Sequence, residues 1–317
     1  MSCLRRLGDS AAKLLVLSAS LGATPRALAG EARGEVPGVE ARLDWLSVVS
    51  GVDLIEHGTR SDADTIRDTA VAQPLIVAAS IVTGGLLLAG RRERVGALAG
   101  HSVGEFAAAA LAGILSNEDA LALVGVRGRA MADEAAKIET GMSALLGGEA
   151  NDISARLAEL GLFPANMNGG GQVVVAGAKD ALAALADNPP AGARVIPLSV
   201  AGAFHTSFMG GAVETLRSAA NGVAASNPTL PIYTNKDGSR VSSGSAYVEL
   251  LVGQVSNPVR WDLCMESFAN DNVTGVIELA PAGALVGLVK RAIKGTPTVA
   301  IKTPDDLATA IELLEAS

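Results

Sequence analysis

The sequence predicts a mixed α/β protein, and three observations support this class. The β-branched runs VGALAG (95–100), GVIELA (275–280) and PTVAIK (297–302) each precede a helical pattern, which is typical of a parallel sheet. Between residues 141 and 200 the pattern changes to β-α-β-β-α-β, the order of a ferredoxin-like unit. The chain has 317 residues, which is enough to bury a large core.

The helices of the large unit can be assigned in chain order. The uncharged run at 74–90 is about long enough for a short membrane span, but interspersed Ser, Thr and Gly residues favour a helix buried against a sheet. A helix follows Ser102 through EFAAAALAG. Another begins at Ser116, with Asp119 three residues later as its capping-box partner.

The region 139–200 is predicted to be a small subdomain inserted into a core formed by 1–138 and 201–317. Its strands and helices follow from short alternating runs and from helical periodicity. The predicted strands are 142–148, 162–168, 171–177 and 193–200, and the predicted helices are 151–161 and 179–187.

Composition excludes several classes of function. The chain has 33 acidic and 25 basic residues, a net charge of −8, which argues against a nucleic-acid partner. Cys3 and Cys264 lack metal-ligand spacing, and a reducing cytoplasm suits them better than a disulfide. Arg5 and Arg6 precede a short apolar run that faintly resembles a secretory signal, but LLVL is short for one. We therefore expect a cytoplasmic protein without a membrane anchor, and a monomer by default.

The junction between the strand at 95–100 and the next helix carries the pattern Gly100-His101-Ser102-Val103-Gly104. Gly-x-Ser-x-Gly at a strand-to-helix turn is the nucleophile elbow, in which the glycines allow a tight turn that exposes the serine. The backbone N–H of Val103 would then face the developing oxyanion. The alternative is a tight turn in which Ser102 only caps the helix.

A serine nucleophile requires a base, and the chain has three histidines. His57 lies in a charged, surface-like stretch, and the turn at His101 should point that side chain away from the serine. His205 lies where the chain re-enters the core after the small subdomain, and is the best candidate by elimination. The alternative for His205 is a hydrogen-bonded, half-buried structural histidine.

Six motifs together resemble the malonyl-CoA:acyl-carrier-protein transacylases, and most closely the actinobacterial members. They are GHSVGEFAA, VRGRAM, NGGGQVVVAG, VAGAFHTSFM, QVSNPVRW and ELAPAGALVGLVKR, and the resemblance runs from about Pro37 to the C-terminus. It implies the acyltransferase fold of fatty-acid and polyketide synthases. That fold is an α/β, hydrolase-like core with a parallel sheet plus the small ferredoxin-like (βαββαβ) subdomain.

The resemblance also implies roles for individual residues. Ser102 matches the nucleophile, His205 the base, and Gln254 the residue whose backbone carbonyl orients that base. Arg127 matches the arginine that binds the malonyl carboxylate, a task that suits a bidentate guanidinium. Its alternative is a solvated helix arginine, which Arg129 exemplifies.

Three further residues are expected to line the cleft: Gln73, Asn168 and Phe204. GAFH at 202–205 resembles the malonyl-selecting version of its motif, so Phe204 should exclude α-branched substrates. The alternative is that Phe204 only packs beneath the histidine. The implied partners are malonyl-CoA and acyl carrier protein, and because the carrier's thiol brings its own arm, no metal or redox cofactor is expected.

One stretch departs from the family pattern. The family has Pro-Gly-Gln-Gly after its first strand, with the glutamine in the oxyanion hole, whereas this chain has SLGA at 20–23 with Gly22 in the glutamine's place. The length fits without a gap and the match resumes at Pro37, which favours the hypothesis of compensating frameshifts over residues 18–36. The alternative is real divergence, which would leave a catalytically weakened enzyme.

Two other functional classes remain open at the level of sequence. An α/β-hydrolase, such as an esterase or thioesterase, would use the same elbow, but its histidine usually lies near the C-terminus. His205 is instead followed by more than a hundred residues without another histidine. A non-catalytic relative that only docks carrier protein is disfavoured by the intact set of Ser102, His205 and Arg127.

Overall fold

The computed structural model describes residues 14–18 and 38–316. The unusual stretch around Gly22, together with Cys3 and the arginines near the N-terminus, therefore lies outside the described residues. The strands are β1 (Leu14–Ser18), β2 (Val95–Gly100), β3 (Thr140–Gly147), β4 (Phe163–Gly169), β5 (Gln172–Ala178), β6 (Ala193–Leu198), β7 (Gly275–Glu278) and β8 (Thr298–Ala300).

The α-helices occupy the intervals between these strands and pack around both sheets. They are α1 (Val39–Ser50), α2 (Leu54–Thr59), α3 (Thr69–Leu88), α4 (Gly104–Ala112), α5 (Asn117–Ala135), α6 (Ala150–Leu160), α7 (Lys179–Asp187), α8 (Gly210–Ala220), α9 (Gly244–Gly253), α10 (Trp261–Asn270), α11 (Leu285–Ala292) and α12 (Asp305–Glu315).

The larger sheet is parallel, with the strand order β2-β1-β7-β8. β1 lies at its centre, and Ser18 at the end of β1 pairs with Gly100 at the end of β2. The carboxyl ends of these strands therefore share one edge of the sheet. In open α/β sheets, that edge is where ligands bind.

Helix α3 is the one helix in the described part of the chain that is long and apolar enough to cross a membrane. Its apolar window is 78% buried inside the protein, as for a core helix. It packs on α4 and α5, so its burial comes largely from neighbouring helices and less from a sheet than the sequence suggested. Ser80, one of its few polar residues, donates a hydrogen bond to the Ala280 carbonyl over 2.9 Å.

The smaller sheet is antiparallel, with the strand order β4-β5-β3-β6. Successive side chains of a strand point to opposite faces, and here the two faces have different partners. Leu145 and Val175 face α6 and α7 in a separate apolar cluster. Ala144 and Val174 face the other way, toward the cleft described below. The small sheet therefore covers its own helices on one face and forms a wall of the cleft with the other.

The mixed α/β class is confirmed, and most of the predicted elements lie within a few residues of their expected bounds. β2 and α7 have the predicted limits. Ser116 caps its helix with the predicted partner, since its hydroxyl accepts a hydrogen bond from the Asp119 N–H over 2.9 Å and donates one to the Asp119 carboxylate over 2.7 Å.

Candidate active site

Ser102 lies in a strained turn between β2 and α4. Its φ of 54° is in the left-handed region, which non-glycine residues rarely adopt and which occurs at functional sites. A Cβ on Gly100 would collide with the backbone of Gly104 and Glu105, so a glycine is required for the end of β2 to approach the start of α4. The turn has the geometry of the predicted nucleophile elbow.

Asn235 holds this turn in place. Its side-chain oxygen accepts a hydrogen bond from the Ser102 N–H over 2.8 Å, and its amide donates to the Gly100 carbonyl over 2.7 Å. Both backbone groups are thereby satisfied where the ladder of the sheet has ended. Asn235 was not among the residues predicted from the sequence, because YTNKDG at 233–238 has only the pattern of a turn.

His205 lies against the serine, as predicted. The distance between its Nε2 and the Ser102 Oγ is 2.7 Å, and its Nδ1 lies 2.8 Å from the backbone carbonyl oxygen of Gln254. Since a carbonyl can only accept, Nδ1 carries the proton and Nε2 is left to accept one from the serine. Gln254 thus occupies the base-orienting position, and a backbone oxygen replaces the carboxylate of a hydrolase triad.

The pKa of His205 is lowered from its usual value to about 3. Burial is the largest cause, and the positive charge of Arg127 is the next. The imidazole is therefore neutral at physiological pH, the form that a general base requires.

Arg127 lies beside the nucleophile and is 1% exposed. Its Nη2 lies 3.4 Å from the Ser102 Oγ and donates to the side-chain oxygen of Gln254 over 2.9 Å. Its Nη1 donates to the side-chain oxygen of Gln73. Burial lowers the pKa of Arg127 to about 10, which still leaves the guanidinium charged. A solvated helix arginine, the alternative considered above, does not fit this burial.

The cleft in front of the serine has a volume of about 300 Å³. Ser102 and His205 line it, together with Asn168 and Phe204, two of the residues expected in the cleft. Gln73 does not line it, because its side chain is fully buried behind Arg127 and contacts the Met131 sulfur. Gln73 therefore contacts Arg127 and does not reach the cleft itself.

The other two histidines differ in their distance from the site. His101 was expected to point away, but its ring lines the cleft and its Nε2 lies 2.9 Å from the Asn168 side-chain oxygen. Burial lowers the pKa of His101 to about 4. His57 lies on α2, hydrogen-bonded to Ser61, as its charged surroundings suggested.

Val103 is the candidate oxyanion donor. Its backbone N–H makes no hydrogen bond to any other described residue, so it is free to bind a developing oxyanion. The second family donor would come from the position of Gly22, which lies outside the described residues. No group of three His, Cys, Asp or Glu side chains that could hold a metal ion occurs in the part of the chain that the structure describes.

Acyl transfer through a serine ester is the chemistry that this arrangement supports, with a neutral histidine as the base and a buried arginine for an anionic acyl group. Comparison with known proteins agrees, since the acyl transferase domain family matches residues 44–303. The malonyl CoA-acyl carrier protein transacylase of Mycolicibacterium smegmatis is 48% identical over 86% of this chain and 96% of its own length.

Solved structures give the same result. The crystal structure of MCAT from Mycobacterium tuberculosis superposes with a TM-score of 0.88 at 42% identity, covering 94% of this chain and 99% of its own. A malonyl-transacylase in complex with a type II polyketide-synthase acyl carrier protein gives 0.85 at 28% identity, covering 95% and 99%. This chain belongs to the malonyl-CoA:acyl-carrier-protein transacylase family.

Proposed function

We propose that this protein transfers the malonyl group of malonyl-CoA to the phosphopantetheine thiol of acyl carrier protein, through a malonyl ester on Ser102. The observation that carries the proposal is that Ser102 Oγ lies 2.7 Å from the His205 Nε2 and 3.4 Å from the Arg127 Nη2. One oxygen thus has a base and a carboxylate-binding group within reach. The product would supply fatty-acid or polyketide chain elongation.

In the first half-reaction, His205 Nε2 takes the proton of the Ser102 hydroxyl as Oγ attacks the thioester carbonyl carbon. The negative charge that forms on the carbonyl oxygen is bound by the Val103 N–H. As the C–S bond breaks, His205 returns the proton to the departing CoA sulfur. The result is malonyl-Ser102 and free CoA, with the histidine neutral again.

In the second half-reaction, the phosphopantetheine thiol replaces CoA in the cleft. His205 Nε2 takes the thiol proton as the sulfur attacks the ester carbonyl, and gives it to Ser102 Oγ as the C–O bond breaks. The same base acts in both directions, so the enzyme needs only a cleft that admits the two thiols in turn. This is a ping-pong mechanism.

Arg127 would have two effects on a malonyl substrate. Its guanidinium pairs with the distal carboxylate, which a neutral pocket would leave unpaired. That carboxylate also neutralises a charge that holds down the pKa of His205, so malonyl binding raises the basicity of the group that activates the serine. An acetyl group provides neither effect.

We assign the finer architecture in the same way. The strand order β4-β5-β3-β6 supports a ferredoxin-like subdomain at 139–200, and the parallel sheet with the elbow at its edge supports a hydrolase-like core at 1–138 and 201–317. We further propose a cytoplasmic monomer that uses no cofactor and no nucleic acid. The free, buried Cys264 suits a reducing compartment, and the net charge of −8 argues against a nucleic-acid partner.

Intact-mass measurement after incubation with malonyl-CoA tests the proposed activity. We expect a malonyl adduct that persists in buffer and disappears when holo acyl carrier protein is added. The Ser102→Ala variant should keep the fold and form no adduct, because it loses the nucleophile and little packing. An adduct on the alanine variant would place the nucleophile elsewhere. A wild-type adduct that is hydrolysed without carrier protein would support the esterase or thioesterase alternative.

A further inference from the structure

A carboxylate directly behind the catalytic residues has no role in the mechanism above. Glu105 lies in the first turn of α4, three residues after the nucleophile, and is 1% exposed. An ionised carboxylate is almost never fully buried without a partner. In the part of the chain that the structure describes, no cation lies within ion-pair distance of it.

The Glu105 carboxylate acts only as an acceptor in its described hydrogen bonds. Its Oε1 accepts from the Asn235 backbone N–H over 2.8 Å and from the Tyr247 hydroxyl over 3.3 Å, and its Oε2 accepts from the side-chain amide of Gln254. Burial raises the pKa of Glu105 to about 7, while these donors favour the acceptor-only, ionised carboxylate, which predominates above that pH. Glu105 and Gln254 also line a second cavity of about 450 Å³, polar and large enough to admit water to this group.

The Gln254 side chain links this carboxylate to Arg127. Its amide nitrogen donates to Glu105 and, over 3.0 Å, to the Ser102 carbonyl, while its amide oxygen accepts from the Arg127 Nη2 over 2.9 Å. A guanidinium can only donate and a carboxylate can only accept, so Glu105 and Arg127 together allow one orientation of the amide. With the amide reversed, its nitrogen would face the guanidinium and its oxygen would face Glu105.

Arg127 makes only neutral contacts of its own. Its described partners are the oxygens of Gln73, Gln254 and Ser102, and its Nε makes no hydrogen bond to a described residue. Glu105 nevertheless acts on it across Gln254, because the carboxylate favours the charged form of the guanidinium. A carboxylate in direct contact would occupy the group that a malonyl carboxylate must reach.

We propose that Glu105 is a positioning residue for recognition of the acyl carboxylate. Through the Gln254 amide it fixes Arg127 in place and balances the buried positive charge, while the guanidinium keeps no carboxylate of the protein as a direct partner. This inference rests on the proposed function, in which Arg127 binds the malonyl carboxylate. It gives the glutamate of GHSVGE a task that is separate from the chemistry at Ser102.

The test is Glu105→Gln, which keeps the size of the side chain and removes its charge. Because the Asn235 N–H requires an oxygen in the place of Oε1, the new NH2 group takes the place of Oε2 and faces the Gln254 amide nitrogen. The Gln254 side chain can then no longer satisfy both this amide and Arg127. A hydrogen bond to a charged group is worth roughly ten- to hundredfold, so kcat/KM for malonyl-CoA should fall by that factor, mainly through KM. Acetyl-CoA should lose much less, because it does not use Arg127.

The readout is therefore the malonyl-to-acetyl ratio of kcat/KM for enzyme acylation, measured on variants whose thermal unfolding is also recorded. Glu312→Gln makes the same change of charge at an exposed site on α12 and should leave the ratio unchanged. A folded Glu105→Gln protein that keeps the wild-type ratio, or loses both activities equally, overturns the proposal. Absence of malonyl-Ser102 in the wild-type protein would instead refute the proposed function.

A double variant tests the same proposal if Glu105→Gln alone does not fold. Glu105→Gln combined with Gln254→Glu exchanges the two groups, so that the amide at position 105 donates to a carboxylate at position 254. The packing and the hydrogen bond between them are kept, and the hydrogen bond to the Ser102 carbonyl is lost for both substrates alike. The negative charge now contacts Arg127 directly and competes with malonyl. We expect a folded protein whose KM rises for malonyl-CoA more than for acetyl-CoA, and equal KM changes would overturn the proposal.

Discussion

The two walls of the cleft differ in chemistry. The core wall carries the ionisable side chains: His101, His205 and Arg291 line the cleft beside Ser102, and Arg127 is buried behind them. The wall from the small sheet has no ionisable side chain among its described lining residues. These are amide and apolar: Met142, Ala144, Asn166, Asn168, Gln172, Val174 and Leu198.

The difference has a structural cause. The core wall stands at the edge of a parallel sheet, where Asn235 and Gln254 from distant loops fix the strained turn and the base. The small sheet faces the cleft with alternate residues of strands whose other faces are already buried against α6 and α7. Reactivity therefore resides in one wall, and the other contributes mainly shape. Substitutions in the core wall should therefore change reactivity, and those in the small sheet should change mainly which substrates fit.

Replacing Arg127 with alanine should have the largest effect, because it removes the buried positive charge that lies 3.4 Å from the Ser102 Oγ. Loss of a charge-assisted pair in a closed cleft costs about 2–5 kcal/mol, part of it for the charge left unpaired. Malonyl transfer should fall by the corresponding factor while acetyl transfer changes little. Acylation rates with the two CoA esters measure this difference.

Arg129 provides the matched control for that experiment. It lies two residues further along α5, is exposed, and donates to the Ser50 carbonyl over 2.9 Å. Arg129→Ala should leave the malonyl-to-acetyl ratio unchanged. An equal loss of both activities in Arg127→Ala would make Arg127 a structural residue.

The pH dependence of acetyl transfer tests the electrostatics of the core wall without using the carboxylate site. The pKa of His205 is lowered from 6.5 to about 3, so the neutral base persists as the pH falls through 6.5. We expect kcat/KM for acetyl-CoA to stay level from pH 8 to about 5.5, since kcat/KM reports the free enzyme. Arg127→Ala removes a lowering influence and should raise this pKa. A wild-type midpoint near 6.5 would contradict the proposed environment of His205.

The parts of the fold and site that sequence could predict are local ones. The limits of β2 and α7 and the helix cap at Ser116 depend on residues within a few positions of each other. The elbow is likewise specified by the spacing of its glycines, which explains why Ser102 was found. His205 was chosen by elimination among three histidines, and family resemblance then supplied Gln254 and Arg127, which periodicity alone could not have paired with Ser102.

What could not be predicted depends on contacts between distant residues. Asn235 contacts Ser102 across 133 positions, and nothing in YTNKDG marks it as a support for the nucleophile. The His101 side chain was expected to point away from the serine, but its ring lines the cleft, hydrogen-bonded to Asn168 of the small sheet. Gln73 was expected in the cleft, yet its polar group is taken by Arg127. In each case a buried hydrogen bond from another element decides where the side chain lies.

Phe204 lies in the core wall but acts by shape, as the small sheet does. Its substitution has the smallest expected effect of those considered. The side chain lies beside the base, but it has no charge and can act only by shape. Its ring is 2% exposed and lines the cleft together with Leu198 and Val200. A phenyl ring there leaves little room for a methyl group on the malonyl α-carbon. Phe204 would thus select the substrate by shape, which is otherwise the contribution of the small sheet.

Phe204→Ser should therefore increase methylmalonyl transfer relative to malonyl transfer, while Ser102 and His205 keep their chemistry. Discrimination by a single methyl group in an apolar pocket is limited to about 1–3 kcal/mol, so the wild-type preference should be strong but not absolute. The measurement is the ratio of kcat/KM for malonyl-CoA and methylmalonyl-CoA in both proteins. Phe208→Ser is the control, since that ring packs on Phe163 outside the cleft lining. If selectivity is unchanged in Phe204→Ser, the steric wall belongs to the small sheet, and the division between reactive and shape-determining walls is complete.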